Sequence, residues 1–212
     1  MRIQIGDRPT PAATAPEAEG WTRIVSPSSP AVHVWVWIAG IGTAMILLAL
    51  IVLASLVVPA RETGSRVDGP TPWAAILLAL LVAVPAHELA HAVFYPGGGL
   101  SSRTTLVAWP HKLRFGVYFE GCMSRRRWLL MRLAPLALLG IGPALCLVAT
   151  QGLPCNPGLE AALSLLLLVN ALGAGGDLLA AGWVVRNIPG GASLAFFGGR
   201  AYWRPGPCGT PH

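Results

Sequence analysis

Charge is what this chain has least of. Only 11% of its 212 residues are Asp, Glu, Lys or Arg, against roughly 25% in soluble domains. With 54% hydrophobic residues and a mean hydropathy of +0.60, that scarcity argues against a soluble globular domain. Acidic residues number 9, so each one inside an apolar run asks for a reason. The 4 cysteines include no C-x-x-C pair, and Cys146 lies in an apolar run. That spacing excludes a zinc knuckle and gives no disulfide framework. The first 30 residues lack an apolar core, which excludes a cleavable signal peptide and predicts a disordered tail. The net charge of +6 comes from basic residues that flank apolar runs, the pattern of a membrane protein, so nucleic acid is not an expected partner.

What is present is apolar length. Four segments reach the roughly 20 residues needed to span a bilayer: Val34–Ala60, Trp73–Tyr95, Trp128–Thr150 and Leu159–Val185. Trp35, Trp37, Trp73, Trp128 and Trp183 sit near their ends, where aromatic belts form. Arg2, Arg8 and Arg23 precede the first segment. Arg103, Lys112, Arg114, Arg125, Arg126 and Arg127 lie between the second and third, and Arg186, Arg200 and Arg204 follow the fourth. This asymmetry places both termini and the second loop in the cytoplasm. Within that loop, Leu113, Phe115, Val117 and Phe119 alternate with polar residues. They predict a strand over Lys112–Glu120, with Thr104–Trp109 as a hairpin partner turned at Pro110-His111. The strand either rests on the membrane surface or receives a peptide by strand addition. The expected fold is an all-α membrane protein: a bundle of four transmembrane helices with a small cytoplasmic β-hairpin between helices 2 and 3. A disordered cytoplasmic tail (1–32) would precede the transmembrane domain (33–187), and a cytoplasmic C-terminal tail (188–212) would follow it.

The chemistry concentrates in His87-Glu88-Leu89-Ala90-His91. Residues i and i+4 of a helix share a face, so His87 and His91 can bind one metal ion. Glu88 projects beside them, as a general base toward a metal-activated water does. Such residues are costly inside a spanning helix and are usually functional there. Pro85, just before the motif, either opens the backbone near the site or is a packing kink. Catalytic zinc takes three protein ligands plus water. Besides Glu88, the acidic residue well inside an apolar segment is Asp177, the candidate third ligand. Its other reading is a buried, protonated carboxyl on a small-residue packing face made by Gly173, Gly175 and Gly176. Asn170, two helical turns before Asp177, either bonds substrate or an oxyanion or serves as interhelical glue. The run Arg125-Arg126-Arg127 reads as a topology anchor.

These motifs, with Met123-Ser124-Arg125-Arg126-Arg127 leading to Leu133-Ala134-Pro135 and Asn170 preceding Gly175-Gly176-Asp177, resemble the DUF3267 zincin-peptidase family over about Trp73–Arg204. More distantly they resemble site-2 proteases, intramembrane zinc enzymes. The resemblance implies Zn2+ as cofactor, with His87, His91 and Asp177 as ligands and Glu88 as base. It also implies a substrate that is a membrane protein or peptide, met at the lipid bilayer. One departure stands out: in site-2 proteases Gly follows the Asp, whereas here Gly175 and Gly176 precede Asp177 and Leu178 follows. A presenilin-like aspartyl mechanism would need a second membrane Asp, and a di-iron enzyme more membrane histidines. The alternative from another class is a non-enzymatic transporter or scaffold with a structural or vestigial metal site.

Overall fold

The computed structural model describes residues 1–6, 20–24, 30–57, 72–109, 114–150, 157–197 and 200–208. It overturns the all-α expectation. The chain is mixed α/β, with seven strands in two sheets among the described residues. Two helical stretches are long and apolar enough to cross a membrane. One is Ala31–Ala54, within α1 (Pro30–Val57). The other is Arg125–Ala149, which runs through α3 (Arg125–Pro135), a π-helix (Leu136–Ile141) and α4 (Gly142–Ala149). A third exists if α5 (Pro157–Gly173) and α6 (Gly175–Asn187), bent by 45° about Ala174, act as one span. In α2 (Pro72–Val93), Leu81–Val93 is a shorter apolar helix. Among the described residues the four expected spans thus become two or three, because α2 offers only the shorter apolar stretch Leu81–Val93 and apolar length alone does not register a break in a helix. Gly173 and Gly175 flank such a break, and glycine is the weakest helix former after proline.

Two units divide the chain. The first, Met1–Val32 with Glu88–Ala134 and Ala180–His212, carries both sheets. The alternating segment folds as expected: β3 (Thr104–Trp109) and β4 (Arg114–Phe119) pair antiparallel, with Leu106 opposite Val117. The turn at Pro110-His111 lies outside the described residues. Strands also form where tails were expected. β1 (Arg2–Ile5) adds in parallel to the other edge of β3, giving the order β1-β3-β4. β2 (Thr22–Arg23), β5 (Gly121–Ser124), β6 (Ser193–Phe197) and β7 (Arg200–Arg204) form the second sheet in the order β2-β7-β6-β5. Phe119, Met123, Trp128, Met131, Val184 and Leu194 are buried in one core. A Cys122–Cys208 disulfide ties β5 to the segment after β7, where the spacing of the cysteines had given no disulfide framework. Spacing could not foresee it: the partners stand 86 residues apart, brought together by the sheet.

The Arg run also does more than anchor topology. The Arg127 guanidinium donates to the carbonyls of Phe94 and Tyr95, capping the end of α2, and Arg125 donates to Val185 O in α6. Cations suit helix C-termini, where carbonyls lack intrahelical donors. The chain then leaves α2 through Gly97, Gly98 and Gly99, all at positive φ (76°, 63° and 75°). Side chains rarely tolerate that conformation.

The second unit, His33–His87 with Pro135–Leu179, packs Ala44 and Leu47 of α1 against Ala144, Leu167 and Ala171. Backbones meet here. A Cβ at Gly40 would strike the carbonyl of Leu172, and one at Gly175 would strike that of Val36. Small residues permit this approach in membrane helix packing.

Candidate metal centre

The site is best read one side chain at a time. In the second unit, His87 Nε2 stands 3.1 Å from Asp177 Oδ2, and His87 Nδ1 stands 2.9 Å from Asn170 Oδ1. Asp177 and Asn170 are buried, at 6% and 2% exposure. Asn170 also donates from Nδ2 to Pro135 O at 3.0 Å. That bond settles the ring chemistry. A carbonyl oxygen only accepts, so the amide NH2 must face Pro135 and the amide oxygen must face His87. His87 Nδ1 therefore carries a proton, and Nε2 is the nitrogen turned to Asp177.

His91 obeys the same logic in the first unit. Its Nδ1 lies 2.8 Å from the Met131 carbonyl, again an acceptor only, so Nδ1–H donates and Nε2 is the nitrogen that can meet a metal. Neutral histidines with one N–H committed to an oxygen are the usual form of zinc ligands. The continuous α2 helix places His91 one turn beyond His87 on the same face. The described residues that could hold one metal are thus His87, His91 and Asp177. The donor set, two imidazoles and a carboxylate, suits zinc. Ligand nitrogen and oxygen atoms about 2.0–2.2 Å from a tetrahedral ion stand roughly 3.3–3.5 Å apart, close to the 3.1 Å seen between His87 and Asp177.

Glu88 is half-buried and accepts the Val117 amide at 3.2 Å. The ladder explains why that amide is available. Glu120 N donates to Arg103 O, so residues 118 and 116 also bond to β3 and Val117 faces the opposite edge. There its N–H meets Glu88 and its carbonyl accepts the Tyr95 hydroxyl at 3.1 Å. Glu88 comes from α2 and Tyr95 from the turn just past its end, so at Val117 they occupy the edge that a neighbouring strand would take.

Asp177 lies in the first turn of α6, just past the break at Ala174. A helix N-terminus favours a carboxylate there. Sequence reasoning named His87, Glu88, His91, Asp177 and Asn170. It missed the backbone partners Met131 O, Pro135 O and Val117 N, and the side chains of Tyr95 and Arg127. For one of these a signal existed: a proline inside a helix cannot donate to the carbonyl four residues before it, and Pro135 stands four after Met131.

No curated protein and no solved structure matches the chain. A sequence model of one family, DUF3267, "Putative zincin peptidase", matches residues 80–192, which is more than half of the chain and includes the helix of His87 and His91, the whole hairpin, Pro135, Asn170 and Asp177. The chain belongs to the DUF3267 family that this model describes.

Proposed function

We propose that this chain is a membrane-embedded zinc endopeptidase that cuts membrane or membrane-associated proteins. The observation that carries the reading is the paired tautomer. His87 and His91 each donate Nδ1–H to an oxygen, which turns both Nε2 atoms to the metal-binding role, and the carboxylate of Asp177 lies beside one of them. His87, His91 and Asp177 would hold the zinc. Bound there, zinc would supply Lewis acidity and a nucleophile at neutral pH.

The chain's own residues do the rest. Glu88, next to His87 in sequence and outside the ligand set, takes the proton from the attacking water and passes it to the leaving amine. The Val117 amide holds the Glu88 carboxylate in one rotamer while it does so. Asn170 keeps His87 in the ligand tautomer, a role its two hydrogen bonds favour over direct contact with substrate. Asp177 stands about nine residues before Arg186, or roughly 13 Å along a helix, which supports a site below a cytosolic surface. Both termini and the hairpin belong on that side by the count of basic residues.

Metal analysis of purified full-length protein tests the reading. About one zinc per chain is expected, and a His87→Ala, His91→Ala double variant should lose most of it. Equal zinc in both would overturn the assignment. Zinc at full occupancy, without Glu88-dependent cleavage of casein or of membrane-protein substrates in proteoliposomes, would favour the scaffold alternative.

A further inference from the structure

Pro135 is the residue on which the surroundings of both histidines converge. It ends α3 where the π-helix begins, and it is fully buried. In an α-helix the carbonyl of Met131 would accept from the N–H of residue 135. Proline has no N–H. The lone pair this leaves on Met131 O is the one that accepts from His91 Nδ1 at 2.8 Å. Four residues on, the carbonyl of Pro135 itself accepts from Asn170 Nδ2 at 3.0 Å, and that bond turns the amide oxygen of Asn170 to His87 Nδ1. A π-turn directly after the proline belongs to the same irregularity, and such turns occur frequently at functional sites.

We infer that Pro135 is a positioning residue for the metal centre. Its missing N–H fixes the tautomer of His91, and its carbonyl, through Asn170, fixes that of His87. The inference rests on the zinc reading for its affinity arm and stands apart from it for its tautomer arm. The two halves are separable. Pro135→Ala restores an N–H and keeps the carbonyl, so it disturbs His91 alone. Asn170→Leu keeps the shape and removes the polar link, so it disturbs His87 alone.

The experiment uses full-length protein in detergent, with nitrogen-15 histidine spectra of the metal-free form and titration of zinc against a chromophoric chelator. In wild type both rings should carry a proton on Nδ1, whether or not Nε2 of His87 is also protonated beside Asp177. Pro135→Ala should give His91 a mixture of tautomers and weaken zinc about 10- to 100-fold, the usual effect of removing a ligand's hydrogen-bond partner. Helix content should hold or rise, because proline is the poorest residue in a helix interior. Asn170→Leu should do the same to His87, and the double variant should multiply the two losses. A purely structural proline would change the melting temperature and leave the His91 tautomer and zinc affinity unmoved, which would overturn the inference. If Pro135→Ala does not fold, Asn170→Leu decides: an unchanged His87 tautomer overturns the proposal. Tautomer shifts in a protein that binds no zinc would sink the zinc reading and leave the positioning role standing.

Discussion

At the scale of single residues, the proposed site separates ligands from base, and substitutions should separate them too. Glu88→Gln keeps the size and an acceptor for the Val117 amide but removes the basic carboxylate. It should retain zinc while turnover drops about 10²–10⁴-fold. Metal content and a casein cleavage rate, measured on the same sample, check this. Full activity in Glu88→Gln would refute the general-base role. Asp177→Asn trades a charged ligand for a poorer neutral one, so zinc affinity and activity should fall together. An Asp177→Asn protein with wild-type zinc affinity would remove Asp177 from the ligand set. His87, Glu88 and His91 were legible in the sequence because their relation is internal to one helix and needs only its period. Asp177 was legible through the cost of burying a carboxylate among apolar residues. The hydrogen-bond partners were not, because Met131, Pro135 and Val117 contribute backbone atoms that every residue possesses. Asn170 was found, but its role depended on which of its two ends faces Pro135, and only the fold decides that.

At the scale of elements, β4 shows why a strand can be foreseen and its purpose missed. Alternation along the hairpin predicted β3 and β4 and their pairing. It could not show that α2 lies along the outer edge, with Tyr95 and Glu88 taking the carbonyl and amide of Val117. Tyr95→Phe keeps the ring stacked on Phe119, at 5.3 Å between centroids, and removes only the hydroxyl. Opening of this edge exposes the Val117 amide, which Glu88 holds, so losing the hydroxyl's bond to the Val117 carbonyl, worth about 0.5–1.5 kcal/mol, should accelerate exchange of that amide several-fold. Unchanged exchange would mean that the edge is held by packing alone. β1, β2, β5, β6 and β7 escaped sequence reading because each has 5 residues or fewer and, apart from the β6–β7 pairing, they find their partners far along the chain. The broken α5–α6 pair was read as one span because glycine counts as neutral in any tally of apolar length.

At the scale of the whole molecule, charge and cysteine chemistry make opposing statements about where the sheets lie. By the count of basic residues, the proposed topology has the hairpin and the C-terminal segment in the cytosol. Disulfides such as Cys122–Cys208 persist in oxidising compartments, and the cytosol keeps thiols reduced. With the proposed topology, the pair is a dithiol in the cell and closes on oxidation after lysis. In intact cells a membrane-permeant maleimide should then label Cys122, and an impermeant one should not. Labelling of Cys122 by the impermeant reagent, or only after an external reductant, would invert the topology.

The close approach at Gly40 and Gly175 carries a consequence for how this protein could be damaged. α1 contributes no residue to the candidate metal group, yet its backbone is seated against Leu172 and Gly175, the residues on either side of the break that sets the position of Asp177. The helix acts as a jig: it holds a part in place for work it takes no part in. Gly40→Ala should therefore behave like a ligand mutation, lowering zinc occupancy, because the new methyl must push the α5–α6 junction away. Gly42→Ala, two residues on, has nothing within 4 Å and should be silent. Equal zinc in the two variants would show that the junction yields freely. Unequal zinc would mean that inactivating changes in this chain can lie in a helix holding none of its chemistry.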